Sequence, residues 1–293
     1  MMQKLKEAYP FLIIMGLVAL GIQFIYNPQA KESIIFFPIN ENVQYESATT
    51  LLMLQPEKKD DHYEVNWKIS SKLDSSAYLR QDVGFLYVNG RLKGKMSEWE
   101  QNTDQIVEES LLKGKESSLL QGVSFHYSEI HDSDSEYTSA QKMSEDTLYV
   151  IDSNFSPLNA FRNPSTGQEK EWKNILDKVT TQQLDYWWES GIRSMNIPIN
   201  DYVSIPLTQL PQIENKPLEG FNQSEWNKLI GNLWEGLYKN YYLGIQKKDG
   251  TTVDSIDSTI PLLLIKKDKT ELLVLLIDKN GEASLLKQII TST

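Results

Sequence analysis

The sequence contains no cysteine among its 293 residues. This absence excludes disulfide bonds, thiolate zinc sites and thiol nucleophiles together. A folded body of this size must then be stable through packing alone. Because low cysteine content is typical of exported proteins of Gram-positive-type bacteria, we expect a bacterial envelope protein.

The sequence also lacks the common catalytic and phosphate-binding motifs. It has no Gly-x-Ser-x-Gly elbow, no Walker loop and no dinucleotide fingerprint. The formal net charge of −11 disfavours nucleic acid, because an acidic surface repels the phosphate backbone. We therefore expect no cofactor and no nucleic-acid partner. The sequence favours a non-enzymatic function but leaves catalytic activity open, because a serine triad of sequence-distant residues is compatible with it.

Charged residues are absent from Pro10 to Tyr26, which reads PFLIIMGLVALGIQFIY. As a helix, this run of about 17 residues covers roughly 25 Å, a little short of a bilayer core of about 30 Å, so flanking residues must complete the span. Lys4 and Lys6 precede it, and the positive-inside rule keeps such residues cytoplasmic. The run predicts an uncleaved, single-pass signal-anchor in the cell membrane with the bulk of the chain extracytoplasmic. The alternative is a cleaved signal peptide, but Pro28 and a lone Ala30 make a poor cleavage site.

The first half of the remaining chain is rich in strand patterns. His62 to Ile69 alternates apolar and polar residues, and Asn89-Gly90 suits a type I′ hairpin turn. Ser97 to Leu112 is ambiguous, because its Ser-Glu-Trp-Glu start resembles a capping box while Gln105 to Leu111 also suits a strand. Further strands are predicted at 49–54, 85–88, 121–130 and 147–151.

Two amphipathic helices are predicted in the second half. The first covers Glu169 to Glu189 and follows Thr166, which forms a capping-box pattern with Glu169. The second follows Asn222 and repeats that pattern, with an additional hydrophobic staple between Phe221 and Trp226. Glu271 to Ile277 is apolar on both faces, which predicts a central strand covered on each side.

These elements predict an α+β protein. We expect an antiparallel β-sandwich-like domain followed by a second α+β domain, in which the two helices pack on a C-terminal antiparallel sheet. The predicted divisions are a cytoplasmic segment 1–9, the anchor 10–26, an extended juxtamembrane segment 27–45, the β domain 46–152 and the α+β domain 153–293.

The three histidines do not predict a metal site. His126 and His131 lie five residues apart, so a strand sends them to opposite faces. The acidic run that follows His131 lacks the glycine and the closing glutamate of an EF-hand. We expect no bound metal.

Aromatic residues are concentrated on the two predicted helices. Most of them continue the aliphatic stripe, which indicates core packing, but three lie at the stripe edges beside two carboxylates. These five residues form the candidate ligand or partner surface: Tyr186, Trp188, Tyr242, Asp185 and Glu189. We expect a non-enzymatic, membrane-anchored protein that binds or regulates an envelope or membrane protein. The alternative is a cell-wall glycan-binding or glycan-acting protein that uses these rings and carboxylates.

Overall fold

The structure, a computed structural model, describes residues 35–55, 61–133, 136–154, 156–247 and 250–290. Contacts divide the chain into Met1–Ser33, which lies outside the described residues, and a second unit, Ile34–Thr293. The described part of this second unit is mostly sheet.

The first sheet has six antiparallel strands in the order β1-β2-β4-β5-β6, and β3 pairs with β2. The strand β2 is 26 residues long and pairs with β1 near its start, with β4 near its end and with β3 along most of its length. The strands are β1 Tyr45–Leu54, β2 Tyr63–Val88, β3 Arg91–Gly114, β4 Ser118–Ser133, β5 Glu136–Ser153 and β6 Ser156–Phe161.

The sheet curls until it is nearly closed. Strand β2 bends, so that its second half packs over side chains of its first half. The β2–β3 register shifts between Lys72 and Ala77, and beyond this bend Gly84 lies against Trp67 and Ile69 of the same strand. A Cβ at Gly84 would lie 2.2 Å from Ile69 Cδ1, so glycine permits this close approach. On the opposite side, the Leu52 amide of β1 donates to Asp146 Oδ2 of β5 at 2.7 Å.

Apolar residues fill part of the interior of the curled sheet and also cover its outer face. The interior cluster is built around Trp67. The outer face of β2 and β4 presents Phe85 and Phe125, which join one larger core with the helices and the second sheet. This division explains why β2 has buried residues on both faces towards its end.

Two α-helices follow the curled sheet. Helix α1 is Gly167–Ser194 and helix α2 is Gln223–Leu237. The predicted capping boxes are confirmed, since Thr166 and Asn222 each accept from the N3 amide and the N3 glutamate reaches back. The predicted staple is also present, with the Phe221 and Trp226 ring centroids 5.6 Å apart. Helix α2 continues into a π-helical turn, Tyr238–Tyr242, and 3₁₀ turns occur at Ile199–Asp201 and Leu207–Ile213.

The second sheet has four antiparallel strands in the order β12-β11-β10-β7. Its strands are β7 Tyr202–Pro206, β10 Leu262–Lys266, β11 Glu271–Ile277 and β12 Ala283–Ile289, while β8 Ile245–Gln246 and β9 Thr252–Val253 form a separate pair. Strand β11 is interior and is buried from Leu272 to Ile277, as its two apolar faces predict. Gly191 of α1 approaches Leu275 and Ile277 on one face, and α2 lies near Val274 on the other.

The chain that enters the described body packs against both the curled sheet and α2. The Tyr127 hydroxyl donates to the Ile35 carbonyl at 2.5 Å, and Ser139 and Asn40 form backbone hydrogen bonds that hold the segment beside β5. Phe36 lies directly over Gly231 of α2, where an added Cβ would meet its ring at 2.0 Å. The part of the predicted juxtamembrane segment from residue 35 onward is therefore docked on the folded body.

The predicted fold class is wrong in its architecture. The β region is one curled sheet and not a sandwich, because the patterns at Tyr63 to Ile69 and Phe85 to Val88 belong to a single strand. Ser97 to Leu112 lies within β3, so its helical interpretation is wrong and its strand alternative is confirmed. Long-range pairing with β2 outweighs the local capping pattern here. The divisions at 46–152 and 153–293 stay predictions, although side chains from both ranges share one core.

The single-pass transmembrane assignment is also corrected. In the part of the chain that the structure describes, no helix is long and apolar enough to cross a membrane. Pro10 to Tyr26, on which the assignment was based, lie outside the described residues.

Candidate functional site

Three of the five predicted surface residues lie around one shallow cavity beside α1. Asp185, Trp188 and Glu189 line this space of about 270 Å³ together with residues of β7 and β10. The Trp188 ring is buried, and its indole N–H donates to the Ile260 carbonyl at 3.0 Å. Trp188 is thus a packed side chain here, which does not offer an open stacking face for a sugar.

The other two predicted residues lie outside this cavity. Tyr186 is 63% exposed and packs edge-on against Trp187 with ring centroids 5.3 Å apart. Tyr242 lies in the turn after α2, where it stacks on Tyr238 at 5.0 Å. The structure therefore does not assemble the five residues into one surface, and their role in binding stays a prediction.

The curled sheet contains a buried polar network that the sequence did not predict. His126 Nδ1–H donates to Asp82 Oδ2 at 2.7 Å, since a carboxylate only accepts, and Nε2 lies 2.8 Å from Ser144 Oγ. His126 and Asp82 have no exposed surface. Ser144 Oγ also lies 2.7 Å from Thr50 Oγ1, which joins β1 to the network.

Charged groups surround this network. Arg80 is fully buried and donates from Nη1 to the Asp104 carbonyl at 2.6 Å and from Nη2 to Ser71. Burial and, to a smaller extent, the nearby charge of Asp82 together raise the pKa of Glu108 to about 8. Within the described residues, Arg80 Nε, Asp82 Oδ1 and Glu108 Oε1 have no hydrogen-bond partner.

The order Asp82, His126 and Ser144 resembles a serine triad, but its position does not suit nucleophilic catalysis. Ser144 lies opposite Ser124 in the middle of the β4–β5 ladder. Backbone amides in such a ladder bond to the neighbouring strand, so they do not form an oxyanion hole. The histidine and the aspartate are both enclosed. We interpret the network as one that fixes the closure of β1 on β4 and β5.

His131 is separate from His126, as the strand periodicity predicts. Its Nε2 contacts Glu129, and its ring stacks on Tyr78 with centroids 3.8 Å apart. The described residues contain no group of three or more metal-ligating side chains.

A groove between α2 and β12 is the clearest concave feature of the second sheet. Two adjoining cavities of about 500 and 290 Å³ share Asn232 and Gln288. Helix α2 forms one wall along its length, and the residues 285–290 form the other. The groove therefore follows the direction of β12.

Strand β12 is an edge strand. Among the described strands it pairs only with β11, so one row of its backbone groups has no strand partner. Ile289 is 61% exposed, and Gln288 Oε1 is buried without a hydrogen-bond partner in the described part of the chain. The groove thus combines an open edge, an exposed apolar side chain and an unsatisfied acceptor.

The groove is lined by four lysines and by three carboxylates, Glu225, Glu235 and Asp268. Lys239 pairs with Glu235 at 2.6 Å, Lys287 pairs with Glu271, and Lys269 donates to the Gly220 carbonyl at 2.7 Å. Lys228 is exposed and also lines the groove. Each end of the groove therefore carries both signs of charge.

Comparisons with protein families, characterised proteins and solved structures give no match to this chain. The sequence does not reveal this site, because the walls of the groove come from residues about 50 positions apart, each of which shows only an ordinary helix or strand pattern.

Proposed function

We propose that this protein binds an extended segment of a partner protein in the groove between α2 and β12, and that it acts by binding and not by catalysis. The observation that supports this function is the open edge of β12 along the groove. A peptide that adds to such an edge gains affinity from backbone hydrogen bonds and specificity from alternate side-chain pockets.

The composition of β12 favours strand addition. Natural edge strands are protected by free charges, proline, bulges or a covering element. β12 has one charged residue, Lys287, and its ammonium group is engaged by Glu271 of β11. With seven residues at about 3.3 Å each, β12 offers a template of roughly 23 Å.

The charge of the groove indicates what kind of segment it accepts. Lys228 and Lys269 lie near one end together with Glu225 and Asp268, and Lys239 lies near the other with Glu235. A segment with apolar residues at its centre and charged residues of both signs at its flanks complements this pattern. The sequence predicts that residues 27–293 are extracytoplasmic, and on this prediction we propose that the partner is a protein of the cell envelope.

A photo-cross-linking amino acid at Ile289 tests the groove in intact cells. Ile289 and Tyr186 are similarly exposed, at 61% and 63%, so the same label at Tyr186 is a matched control. We expect a discrete cross-linked partner from position 289 and none from position 186. Equal labelling from both positions would argue against a specific groove.

The binding mode is tested with the partner peptide recovered from that cross-link. We expect added peptide to slow hydrogen exchange of backbone amides in Ala283–Ile289, and Ile289→Lys to weaken binding at least about tenfold, or about 1.4 kcal/mol. Tyr186→Lys should bind normally. Unchanged exchange in β12, or a concentration-dependent homodimer through β12 that excludes the peptide, would overturn the proposal.

A further inference from the structure

A further cavity lies on the other side of the second sheet, between α1, the start of β4 and the turn Leu207–Ile213. Its volume is about 360 Å³, within the usual range of small-ligand sites. It is separate from the groove, since the two share no lining residue.

Thr180 of α1 lines this cavity and is 4% exposed. Its hydroxyl is buried and has no hydrogen-bond partner within the described residues. Such a group carries a desolvation penalty of about 1 to 3 kcal/mol, and unsatisfied hydroxyls are uncommon in folded proteins.

The remaining polar groups of the lining are mostly uncharged. Gln121, Thr181 and Gln209 supply amides and hydroxyls, and no Lys or Arg belongs to the described lining. The one carboxylate, Asp177, already accepts from the Tyr149 hydroxyl at 2.7 Å and pairs with Lys173. This composition disfavours anions and leaves no free negative charge for a cation.

We propose that this cavity binds a small, neutral, polyhydroxylated molecule of the size of one sugar ring. Each hydroxyl of such a ligand donates and accepts, which suits a lining of amides and hydroxyls. The apolar part of the lining includes Leu119, Leu184 and Ile260, which suit contact with the C–H groups of a sugar ring. When the ligand binds, the Thr180 hydroxyl forms the hydrogen bond that it lacks in the free protein.

The site differs from the surface predicted from sequence. Trp188 belongs to both cavities, but Asp185, Glu189 and Tyr186 do not line this one. No carboxylate pair faces the ligand among the described lining residues, so the site binds the sugar and does not cleave it.

Saturation-transfer NMR on the full-length chain tests the proposal, with D-glucose and N-acetyl-D-glucosamine as probes. We expect at least one probe to bind with saturation, and Thr180→Val to weaken its affinity at least about tenfold, or about 1.4 kcal/mol. Thr180→Ser, which retains the hydroxyl, should restore binding.

Thr259→Val is the matched control. Thr259 is also fully buried with an unpartnered hydroxyl in the described structure, but it does not line the cavity. Both valine variants should be at least as stable as the native chain in urea unfolding, whereas only Thr180→Val should lose the probe. Absence of binding by both sugars at about 100 mM, or equal binding by Thr180→Val and the native chain, would overturn the proposal.

Discussion

Glu108 lies inside the curled sheet, where water is scarce and Asp82 is close by. Burial favours the neutral carboxyl, and the negative charge of Asp82 acts in the same direction. The pKa of Glu108 therefore rises from 4.5 to about 8 in the folded protein. Its neighbour Glu109 points the other way and pairs with Lys68 at 2.8 Å, which lowers its pKa. Two adjacent glutamates thus differ because alternate strand positions face opposite sides of the sheet.

The raised pKa of Glu108 makes stability fall as pH rises. Between pH 4.5 and 8 the folded state holds a proton that the unfolded state has released, so the free energy of unfolding decreases by up to about 1.4 kcal/mol for each pH unit. This loss is absent below pH 4.5 and complete above pH 8. We expect Glu108→Gln to remove it and to stabilise the protein most at pH 8, as measured by urea unfolding at pH 5, 6.5 and 8.

Glu109→Gln is the control for this experiment. Its lowered pKa lies below the tested range, so the variant should keep the native slope between pH 5 and 8. If Glu108→Gln and the native chain lose stability equally over this range, Glu108 is already ionised in the folded state.

At the scale of elements, the sequence correctly predicts the features that depend on residues close together in the chain, such as helix starts and tight turns. Thr166 with Glu169 and Asn222 with Glu225 form their capping boxes within three residues, and both helix starts are confirmed. Asn89 and Gly90 both adopt positive φ, as a type I′ turn requires. Ser97 to Leu112 shows the opposite case. Its structure depends on pairing with β2, and the residues within this range do not indicate which strand they pair with.

The docking of the entering chain on α2 provides a prediction at this scale. Gly231 and Gly236 lie in the same helix, but only Gly231 has a neighbour, the Phe36 ring, within contact distance of an added Cβ. Gly236→Ala should stabilise the protein by up to about 1 kcal/mol through helix propensity. Gly231→Ala gains the same propensity but displaces Phe36, so we expect it to be less stable than Gly236→Ala by about 1 to 3 kcal/mol.

Hydrogen exchange of Phe36 to Val43 measures this displacement. The segment should exchange faster in Gly231→Ala and at the native rate in Gly236→Ala. Equal stability of the two variants, with unchanged exchange in this segment, would contradict the packing of Phe36 on α2.

At the scale of the whole molecule, one core joins elements that the sequence assigned to two domains. Trp234 of α2 is fully buried and stacks on Phe85 of β2 and Phe125 of β4, with centroid distances of 5.7 and 5.1 Å. The sequence correctly predicts that Trp234 is apolar and inward, but it gives no sign of which sheet it meets. The groove and the cavity lined by Thr180 cannot be predicted from the sequence for the same reason, since both depend on how α2 and α1 pack between the two sheets.

This shared core predicts that the curled sheet and the helical region unfold together. Trp234→Ala removes a large side chain from the contact between them and should cost about 3 to 5 kcal/mol. Because the contact is common to both regions, far-UV circular dichroism and tryptophan fluorescence should report a single urea transition that shifts as a whole in the variant. Two separate transitions in the native chain, with only one shifted by Trp234→Ala, would instead support independent folding of residues 46–152 and 153–293.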